Sequence, residues 1–532
     1  MKTEIKKIIQ KIIGDKSPDF SVEVPSEKTH GDYSSNVALV LAKALNKKPR
    51  EVAEDIKSKI SAQGGPASGG KSPLFSKIEI AGPGFINFFI SERYLQKQVE
   101  EILKQKKNFG NLKIGNNKKI NVEFISANPT GPLTLGNGRG GFGGDVLSKV
   151  LQKAGYKVTK EYYINDTGNQ INKLGHSVLG DEEALYKGKY IDDLKEKVKG
   201  KDADDIGKKA AKIILEKMIK PSIKKMGIQF DVWFSETSLY KNKEVDKAIE
   251  ELTNKGFTYQ SEGAVWFKSK DIGDDKDRVL VRADGIRTYF ASDIAYLRNK
   301  FERGFDKLIL FLGADHYGYI ARLKAACQAL GYKKENVDAL ILQLVKLFEN
   351  GKEVRMSKRT GIYVTIDELI DEVGLDAARF FFLQRSLDTH FNFDMDLAKE
   401  KSDKNPVFKV QYAYARINSI IKKSKVLFFK TKDFALLREP AENNLIKELV
   451  RFPEVVEDMA NDYQLQRLPQ YALDVSEAFH SFYEKCQVIS KDKQLTKSRL
   501  SLIIATKIVL ENVLELMGVS CPKEMKRNEI KK

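Results

Sequence analysis

Residues able to bind a phosphate are concentrated between Gly136 and Gly144, where six glycines follow a proline-rich segment. Glycine lets a flat base or a phosphate approach the backbone closely. Apolar residues recur at helical spacing from Phe142 to Leu151, and Gly155 ends the predicted helix. The start of a helix offers free N–H groups and the positive end of a dipole. The segment therefore predicts a nucleotide site on a glycine-rich loop.

A second group of candidate residues lies between Gly351 and Gly361. It contains Arg355 and Lys358, two cations on a stretch flanked by glycines. Guanidinium and ammonium groups bind phosphate oxygens through charge-assisted hydrogen bonds. We expect these two cations to close over phosphates.

The elements around the glycines predict a parallel sheet. Residues 120–124 alternate between apolar and polar, which predicts a strand, and residues 158–164 predict another strand after the helix. The apolar run 308–313 is typical of a buried parallel strand. Asp315 and His316 follow its carboxyl end, where open α/β sheets bind ligands.

Two strings match known phosphate motifs but lie in the wrong context. Gly136–Gly141 fits G-x-G-x-x-G, with Glu161 beyond it, yet about ten residues separate Gly136 from the preceding strand. The dinucleotide fingerprint needs its first glycine directly after the strand. Gly65–Ser72 fits the P-loop string, but it follows a helix and runs into Pro73. We interpret the second string as a flexible Gly/Ser loop.

Composition limits the class of protein. The chain has 532 residues and a formal charge of +18, which allows several domains and either a polyanionic partner or simply a solvated lysine-rich surface. Cys327, Cys486 and Cys521 are far apart and form no disulfide framework or zinc motif, so we expect a reducing compartment. No apolar run is long enough to span a bilayer.

The chain divides into segments of different pattern. Residues 1–112 predict an α/β module and residues 113–380 a catalytic domain with a helical insertion at about 180–228. Residues 381–407 are a connecting segment, and residues 408–532 predict an all-helical bundle.

The motifs resemble the class I aminoacyl-tRNA synthetase family in its arginyl form, in family order and over essentially the whole chain. The first class signature is represented by Glu123-Phe124, Ser126 and residues 128–133 and 138–140, and residues 355–358 resemble the second, mobile signature loop. Residues 31–36 and 80–87 resemble the family's N-terminal domain, and residues 411–416 resemble its anticodon-binding domain.

The resemblance implies a Rossmann-like parallel-sheet catalytic domain between an N-terminal α/β domain and a C-terminal helical bundle. It implies formation of arginyl-adenylate from Mg²⁺–ATP and L-arginine, then transfer of the arginyl group to tRNA(Arg), by a cytoplasmic protein without a membrane partner or bound structural metal. We expect a monomer. The implied site residues are Thr134, Asn137, Arg355 and Lys358 for catalysis; Gly136, Gly138, Asp315, His316, Met356 and Ser357 for ATP; Glu123, Ser126, Asn128, Tyr289 and Asp293 for arginine; and Tyr33, Asn36, Gln411, Tyr412 and Arg416 for tRNA.

The sequence departs from the family at Thr134 and Asn137, where the family has the two histidines of its first signature. A hydroxyl and a carboxamide also donate hydrogen bonds, and neither depends on protonation near neutral pH. Arg139 and Arg355 are the candidates to supply the missing positive charge. We therefore expect an active enzyme. The alternatives are a paralogue that only binds tRNA and, less favoured, an NAD-dependent enzyme.

Overall fold

The protein is described by a computed structural model that covers residues 1–14, 18–64, 74–354, 364–424 and 433–525. The Gly65–Ser72 string lies outside the described residues. The described residues of the N-terminal part form an α/β unit. Its four strands form one antiparallel sheet in the spatial order first, second, fourth, third, and the last two are paired across the turn at Gly82–Gly84. The elements are α1 (Lys2–Ile13), β1 (Val22–Glu23), β2 (Tyr33–Ser35), α2 (Val37–Leu45), α3 (Pro49–Gly64), β3 (Phe75–Ala81), β4 (Phe85–Ile90) and α4 (Glu92–Gln105).

The central part contains the predicted parallel sheet, with the helices that follow its strands packed against it. The elements up to its last strand are β5 (Lys119–Glu123), α5 (Leu135–Lys153), β6 (Lys157–Ile164), α6 (Asn169–Leu179), α7 (Lys189–Lys197), α8 (Ala203–Ile214), α9 (Lys220–Lys225), β7 (Val232–Ser235), α10 (Thr237–Lys241), α11 (Glu244–Asn254), β8 (Thr258–Ser261), β9 (Ala264–Phe267), β10 (Arg278–Val281), α12 (Tyr289–Glu302), β11 (Lys307–Gly313), α13 (Tyr319–Ala329) and β12 (Val337–Leu342).

The sheet has the strand order β12-β11-β5-β6-β7, and every neighbouring pair is parallel. The predicted α/β fold class is therefore confirmed. The strand β5 lies in the middle, with Glu123 beside Leu310 on one side and Glu161 on the other. Since parallel strands end at the same edge, the residues that follow β5, β6, β7 and β11 meet there. The strands β8 to β10 form a separate antiparallel sheet.

The predicted helical insertion consists of α7, α8, a π-helical turn at Leu215–Ile219 and α9. The predicted connecting segment 381–407 is not an extended linker. It contributes strand β15, which pairs in parallel with β13, so the segment packs as part of a three-stranded sheet. The elements of this part are β13 (Val345–Glu349), β14 (Lys352–Val354), α14 (Ile366–Val373), α15 (Leu375–Leu383), β15 (Phe391–Asp394) and α16 (Met395–Lys399).

The C-terminal part is helical in its described residues, as the sequence pattern predicts. The Asn405 side chain accepts a hydrogen bond from the N–H of Val407, and Pro406 is the first helical residue, where its missing N–H costs nothing. No helix among the described residues is long and apolar enough to cross a membrane. The helices are α17 (Pro406–Ser424), α18 (Pro440–Val450), α19 (Phe452–Asp462), α20 (Arg467–Lys485) and α21 (Lys493–Met517).

One expectation about the glycines is wrong: they do not form a loop. Helix α5 begins at Leu135 and includes all six glycines from Gly136 to Gly144. The glycines allow close packing, because a Cβ at Gly141 would lie 2.6 Å from Met226 and a Cβ at Gly144 would overlap the ring of Phe124. The helix is therefore pressed directly onto the end of β5, which outweighs the low helix propensity of glycine.

Arg379 joins the central and C-terminal parts through a buried ion pair. Its guanidinium is 1% exposed and donates to Asp145 Oδ2 at 3.0 and 3.1 Å, which ties α15 to α5. The same group donates to the carbonyl oxygens of Met226, after α9, and Met517, at the end of α21. A cation at the ends of two helices satisfies their last carbonyl groups and their dipoles.

We expect Gly144→Ala to lower the apparent free energy of unfolding by about 1–3 kcal/mol, because the added methyl group overlaps Phe124 in a packed interior. Gly136→Ala is the matched control in the same helix, since the nearest atom to its Cβ is Thr134 Oγ1 at 3.7 Å. Alanine should leave stability unchanged or raise it there. Thermal unfolding measures both variants. Equal melting temperatures for both would contradict the packing role of Gly144.

Candidate active site

A cavity of about 720 Å³ lies at the carboxyl edge of the parallel sheet, between the start of α5 and the ends of β11 and β12. It brings together residues that the sequence analysis placed at a nucleotide site although they are far apart in the chain. Apolar side chains from the end of β12 and the following loop, including Leu342 and Leu344, form another part of its wall. The predicted residues that line it are Thr134, Gly136, Asn137 and Asp315.

Thr134 and Asn137 bond to each other at the start of α5. Both the backbone N–H and the hydroxyl of Thr134 donate to Asn137 Oδ1, at 2.9 and 3.0 Å. Asn137 thereby caps the helix and presents its carboxamide NH₂ as a donor that has no partner among the described residues. The Thr134 hydroxyl must rotate before it can donate to a phosphate.

Arg139 does not replace the missing histidine charge, so that expectation is wrong. Its side chain is 1% exposed and donates to the carbonyl oxygens of Gln343 and Ser386, at 2.9 and 2.7 Å. Burial lowers the pKa of Arg139 to about 10, so the guanidinium is charged but faces the protein interior. The second signature loop, Arg355, Met356, Ser357 and Lys358, lies outside the described residues; Val364, soon after it, lines the cavity.

The other predicted nucleotide residues have different environments. Gly138 is buried, and a Cβ there would lie 2.5 Å from Ile366 Cδ1, so its glycine is explained by packing against α14. Asp315 and His316 form a short 3-10 turn directly after β11, with largely exposed side chains. No group of three or more His, Cys, Asp and Glu side chains in the described part of the chain is arranged to hold a metal ion.

The chain leaves β5 through two residues in left-handed conformation, Ile125 with φ 66° and Ser126 with φ 38°. This conformation is unfavourable for a β-branched isoleucine and marks local strain. The bend lets the Ser126 hydroxyl donate to Glu123 Oε1 at 3.2 Å and accept from the N–H of Tyr163 at 3.0 Å. Asn128 follows in the same loop, where its carbonyl oxygen accepts from Thr130. The predicted arginine residues Glu123, Ser126 and Asn128 therefore lie together.

Asp293 and Glu236 are two further carboxylates near this region, and the charge of Arg322 acts on Asp293 and lowers its pKa against the raising influences. The Asp293 carboxylate accepts from the Tyr319 hydroxyl, and burial together with the charges of Glu236 and Glu123 raises the pKa of Asp293 to about 8. Glu236 is 2% exposed, and burial and the charge of Asp166 raise its pKa to about 7. Among the described residues neither carboxylate forms an ion pair, which leaves two carboxylates for a cationic ligand.

Sequence reasoning missed Glu236. It follows β7 directly, and its N–H donates to the carbonyl oxygen of Ile164 at the end of β6. The position after a parallel strand is the signal that could have found it. Tyr289 and Asp293 lie four residues apart on α12. The Tyr289 ring is half-exposed, and its hydroxyl accepts from the N–H of Asn169 at 3.1 Å.

Two residues predicted to bind tRNA are buried inside the protein. Tyr33 is 1% exposed and donates its hydroxyl proton to Glu454 of α19. Gln411 donates to Asp376 and Ser520. Both have roles in joining parts of the chain, so a contact with tRNA requires a rearrangement that this structure does not contain.

The other three predicted tRNA residues are more accessible. The Asn36 side chain accepts from the N–H of Ser21 and is partly buried. Tyr412 and Arg416 are partly exposed on α17, the first stacked on Phe408 and on a histidine of α20, and the second bonded to the Tyr483 hydroxyl. An accessible aromatic ring beside a guanidinium is suited to stacking with an unpaired base.

The parallel sheet, the cavity at the start of α5 and the helical C-terminal part define a class I aminoacyl-tRNA synthetase. Three family models match: "Arginyl tRNA synthetase N terminal domain" at residues 1–90, "tRNA synthetases class I (R), catalytic domain" at 98–196 and 177–386, and "DALR anticodon binding domain" at 410–525. The chain belongs to the arginyl-tRNA synthetase family, and it is an arginine–tRNA ligase by activity.

Similar proteins agree with this assignment. An arginine–tRNA ligase of Caldanaerobacter subterraneus subsp. tengcongensis is 46% identical, covering 95% of this chain and 94% of the relative. The Bacillus subtilis arginine–tRNA ligase is 44% identical over 99% and 98%. The arginyl-tRNA synthetase of Thermus thermophilus has the same fold, with 20% identity, a TM-score of 0.78 and coverage of 99% and 100%. Nothing in these comparisons supports a tRNA-binding-only paralogue or an NAD-dependent enzyme.

We expect the affinity for arginine to rise with pH between about 6 and 8.5, by up to about tenfold per unit, because a guanidinium binds ionised carboxylates and displaces the proton held by Asp293 or Glu236. Calorimetric titration in buffers of different ionisation enthalpy measures the released proton. A raised carboxylate pKa stabilises the folded state at low pH, and this contribution is lost as pH rises through about 7–8, so arginine should stabilise the protein most above that range.

The control is Asp293→Asn, in which the affinity for arginine should change less with pH than in the wild-type protein. An arginine affinity that does not change with pH in the wild-type protein would contradict the claim that arginine displaces a proton from Asp293 or Glu236.

Proposed function

We propose that Asp293 and Glu236 recognise the guanidinium of L-arginine, while Glu123, Ser126 and Asn128 face the rest of the amino acid. The observation that supports this proposal is that neither carboxylate has an ion-pair partner among the described residues, although the charge of Arg322 acts on Asp293. Two carboxylates that converge on one site suit the planar, fixed fork of guanidinium donors better than a lysine ammonium. Tyr289, at the start of α12, lies at the mouth of this site.

We further propose that Mg²⁺–ATP enters the cavity beside α5 as a substrate. A carboxylate oxygen of arginine attacks the α-phosphorus, the bond from that phosphorus to the bridging oxygen breaks, and pyrophosphate leaves with the electron pair. Asn137, Thr134 and the first N–H groups of α5 donate to the phosphates, and Arg355 and Lys358 place positive charge on the leaving group. Gly136, Asp315 and His316 border the nucleoside.

For the second half-reaction we propose that tRNA(Arg) contacts both end domains, with Asn36, Tyr412 and Arg416 among the contact residues. A ribose hydroxyl of the terminal adenosine attacks the arginyl carbonyl and AMP leaves. The charge of +18 fits a polyanionic partner. We assign the domains to residues 1–112, 113–380 and 408–532, and propose a cytoplasmic monomer.

Asp293→Asn keeps the size of the side chain and removes its charge. We expect the arginine KM to rise by roughly two orders of magnitude or more, because a guanidinium left without a buried charge partner costs about 3–5 kcal/mol. ATP–pyrophosphate exchange with arginine and tRNA measures this, and the KM for ATP should stay constant. Glu302→Gln, which removes a half-exposed carboxylate from the same helix, is the matched control. Unchanged arginine kinetics for Asp293→Asn would remove this residue from the site.

Asn137→Ala should slow adenylate formation by roughly 10²–10³, the usual cost of losing one preorganised donor, with little change in the KM for arginine. Thr134→Ala should act in the same direction. Because both changes also remove a helix cap, worth about 1 kcal/mol, Ser91→Ala at the start of α4 serves as the control for cap loss alone. Wild-type exchange rates in both active-site variants would show that these residues do not take the place of the histidines.

A further inference from the structure

Lys300 is a fully buried lysine that the reaction scheme above does not use. Its side chain is 0% exposed, on the last turns of α12. The Nζ atom pairs with Glu123 Oε2 at 2.5 Å and lies 4.2 Å from the centroid of the Tyr296 ring. Burying an ammonium group is costly unless it is paired and hydrogen-bonded. A lysine in this place therefore depends on Glu123, and Glu123 on it.

Of the four carboxylates around Lys300, two form an ion pair among the described residues and two do not. Glu161, beside Glu123 in the sheet, accepts two hydrogen bonds from the Arg303 guanidinium, each at 2.8 Å. Glu123 has Lys300. Asp293 and Glu236 have no ion-pair partner within the described residues. Because Lys300 pairs with Glu123, two carboxylates of this region, Asp293 and Glu236, have no ion-pair partner in the described part of the chain when arginine is absent. Without Lys300, Glu123 would be the third.

The contacts of Glu123 fix its orientation from two sides. Lys300 holds Oε2, and the Ser126 hydroxyl, itself anchored on the backbone N–H of Tyr163, donates to Oε1. Lys300 has no exposed surface, so it cannot contact the substrate. Any effect of Lys300 on arginine must pass through Glu123 or through the electrostatic potential of the site.

We propose that Lys300 is a positioning residue for arginine: it holds Glu123 in the orientation that the substrate meets and leaves Asp293 and Glu236 as the two carboxylates for the guanidinium. This rests on the proposed arginine site. Without the ammonium group, Glu123 becomes a third unmatched carboxylate in a partly buried cluster. Like charges in such a cluster favour uptake of a proton, which then competes with the cationic substrate.

The test compares Lys300→Met, Lys300→Arg, Glu123→Gln and the double variant Lys300→Met/Glu123→Gln in aminoacylation assays. For Lys300→Met we expect the arginine KM to rise roughly 10–100-fold, with the KM for ATP unchanged. The size is taken by analogy from metal sites, where loss of a residue that orients a ligand costs about this factor. Lys300→Arg keeps the charge but must fit a larger guanidinium into a fully buried place, so it should restore only part of the arginine affinity lost in Lys300→Met. The defect of Lys300→Met should shrink as pH rises towards about 9 and the cluster loses its proton; a structural defect would not follow pH in this way.

The double variant separates the proposal from a loss of folding, because it removes both members of the buried pair. If Lys300 acts through Glu123, the double variant should have the arginine KM of Glu123→Gln alone. A further rise would overturn the proposal, as would a wild-type arginine KM for Lys300→Met. If Glu123→Gln itself leaves the arginine KM unchanged, the proposed site fails instead, and the two failures are distinguishable.

Discussion

Carboxylates crowded at the carboxyl edge of a parallel sheet are the constraint that organises this molecule. Glu123 and Glu161 are direct neighbours on β5 and β6, and Glu236 follows β7 on the next strand. Because parallel strands end at one edge, these carboxylates lie on three neighbouring strands towards the same edge. Lys300 near the end of α12 pairs with Glu123, and Arg303 directly after α12 pairs with Glu161, whereas Glu236 and Asp293 have no ion-pair partner among the described residues.

The paired and unpaired carboxylates keep their positions because the surrounding structure is tightly packed. The glycine-rich helix α5 lies directly on Phe124, so the residues that leave β5 have little freedom, even with Ile125 in a strained conformation. Asp145 of the same helix is buried, which raises its pKa, but the charges of Arg379 and Lys149 outweigh burial and hold that pKa below its usual value. A strained loop persists where its surroundings determine it. The pair Asp145–Arg379 also connects this helix to the end of the C-terminal bundle.

Much of this could be read from the sequence. The alternating strand before the glycines and the buried strand at 308–313 are where the patterns predict them, because buried strands follow hydrophobic periodicity. The expectation of a glycine-rich loop is wrong because the glycines pack against Phe124 and Met226. Local helix propensity contains no information about these distant contacts. The packing partners of the glycines only become known with the fold.

The residues of the proposed site differ in how far the sequence identifies them. Glu123 and Asp293 belong to motifs, but Glu236 has no motif around it and is identified by its place after β7 and by its burial. Tyr33 carries a recognisable motif and yet lies buried against Glu454, since a motif does not reveal which surface another domain covers. Pairings between distant residues, such as Lys300 with Glu123, require the three-dimensional arrangement.

A crystal structure of the protein with L-arginine bound tests the central claim most directly. The account predicts that the guanidinium lies within about 3.2 Å of carboxylate oxygens of both Asp293 and Glu236, with Lys300 still paired with Glu123. A guanidinium bound elsewhere, with Asp293 and Glu236 left without a cation, would contradict the claim that the unmatched carboxylates are the arginine site.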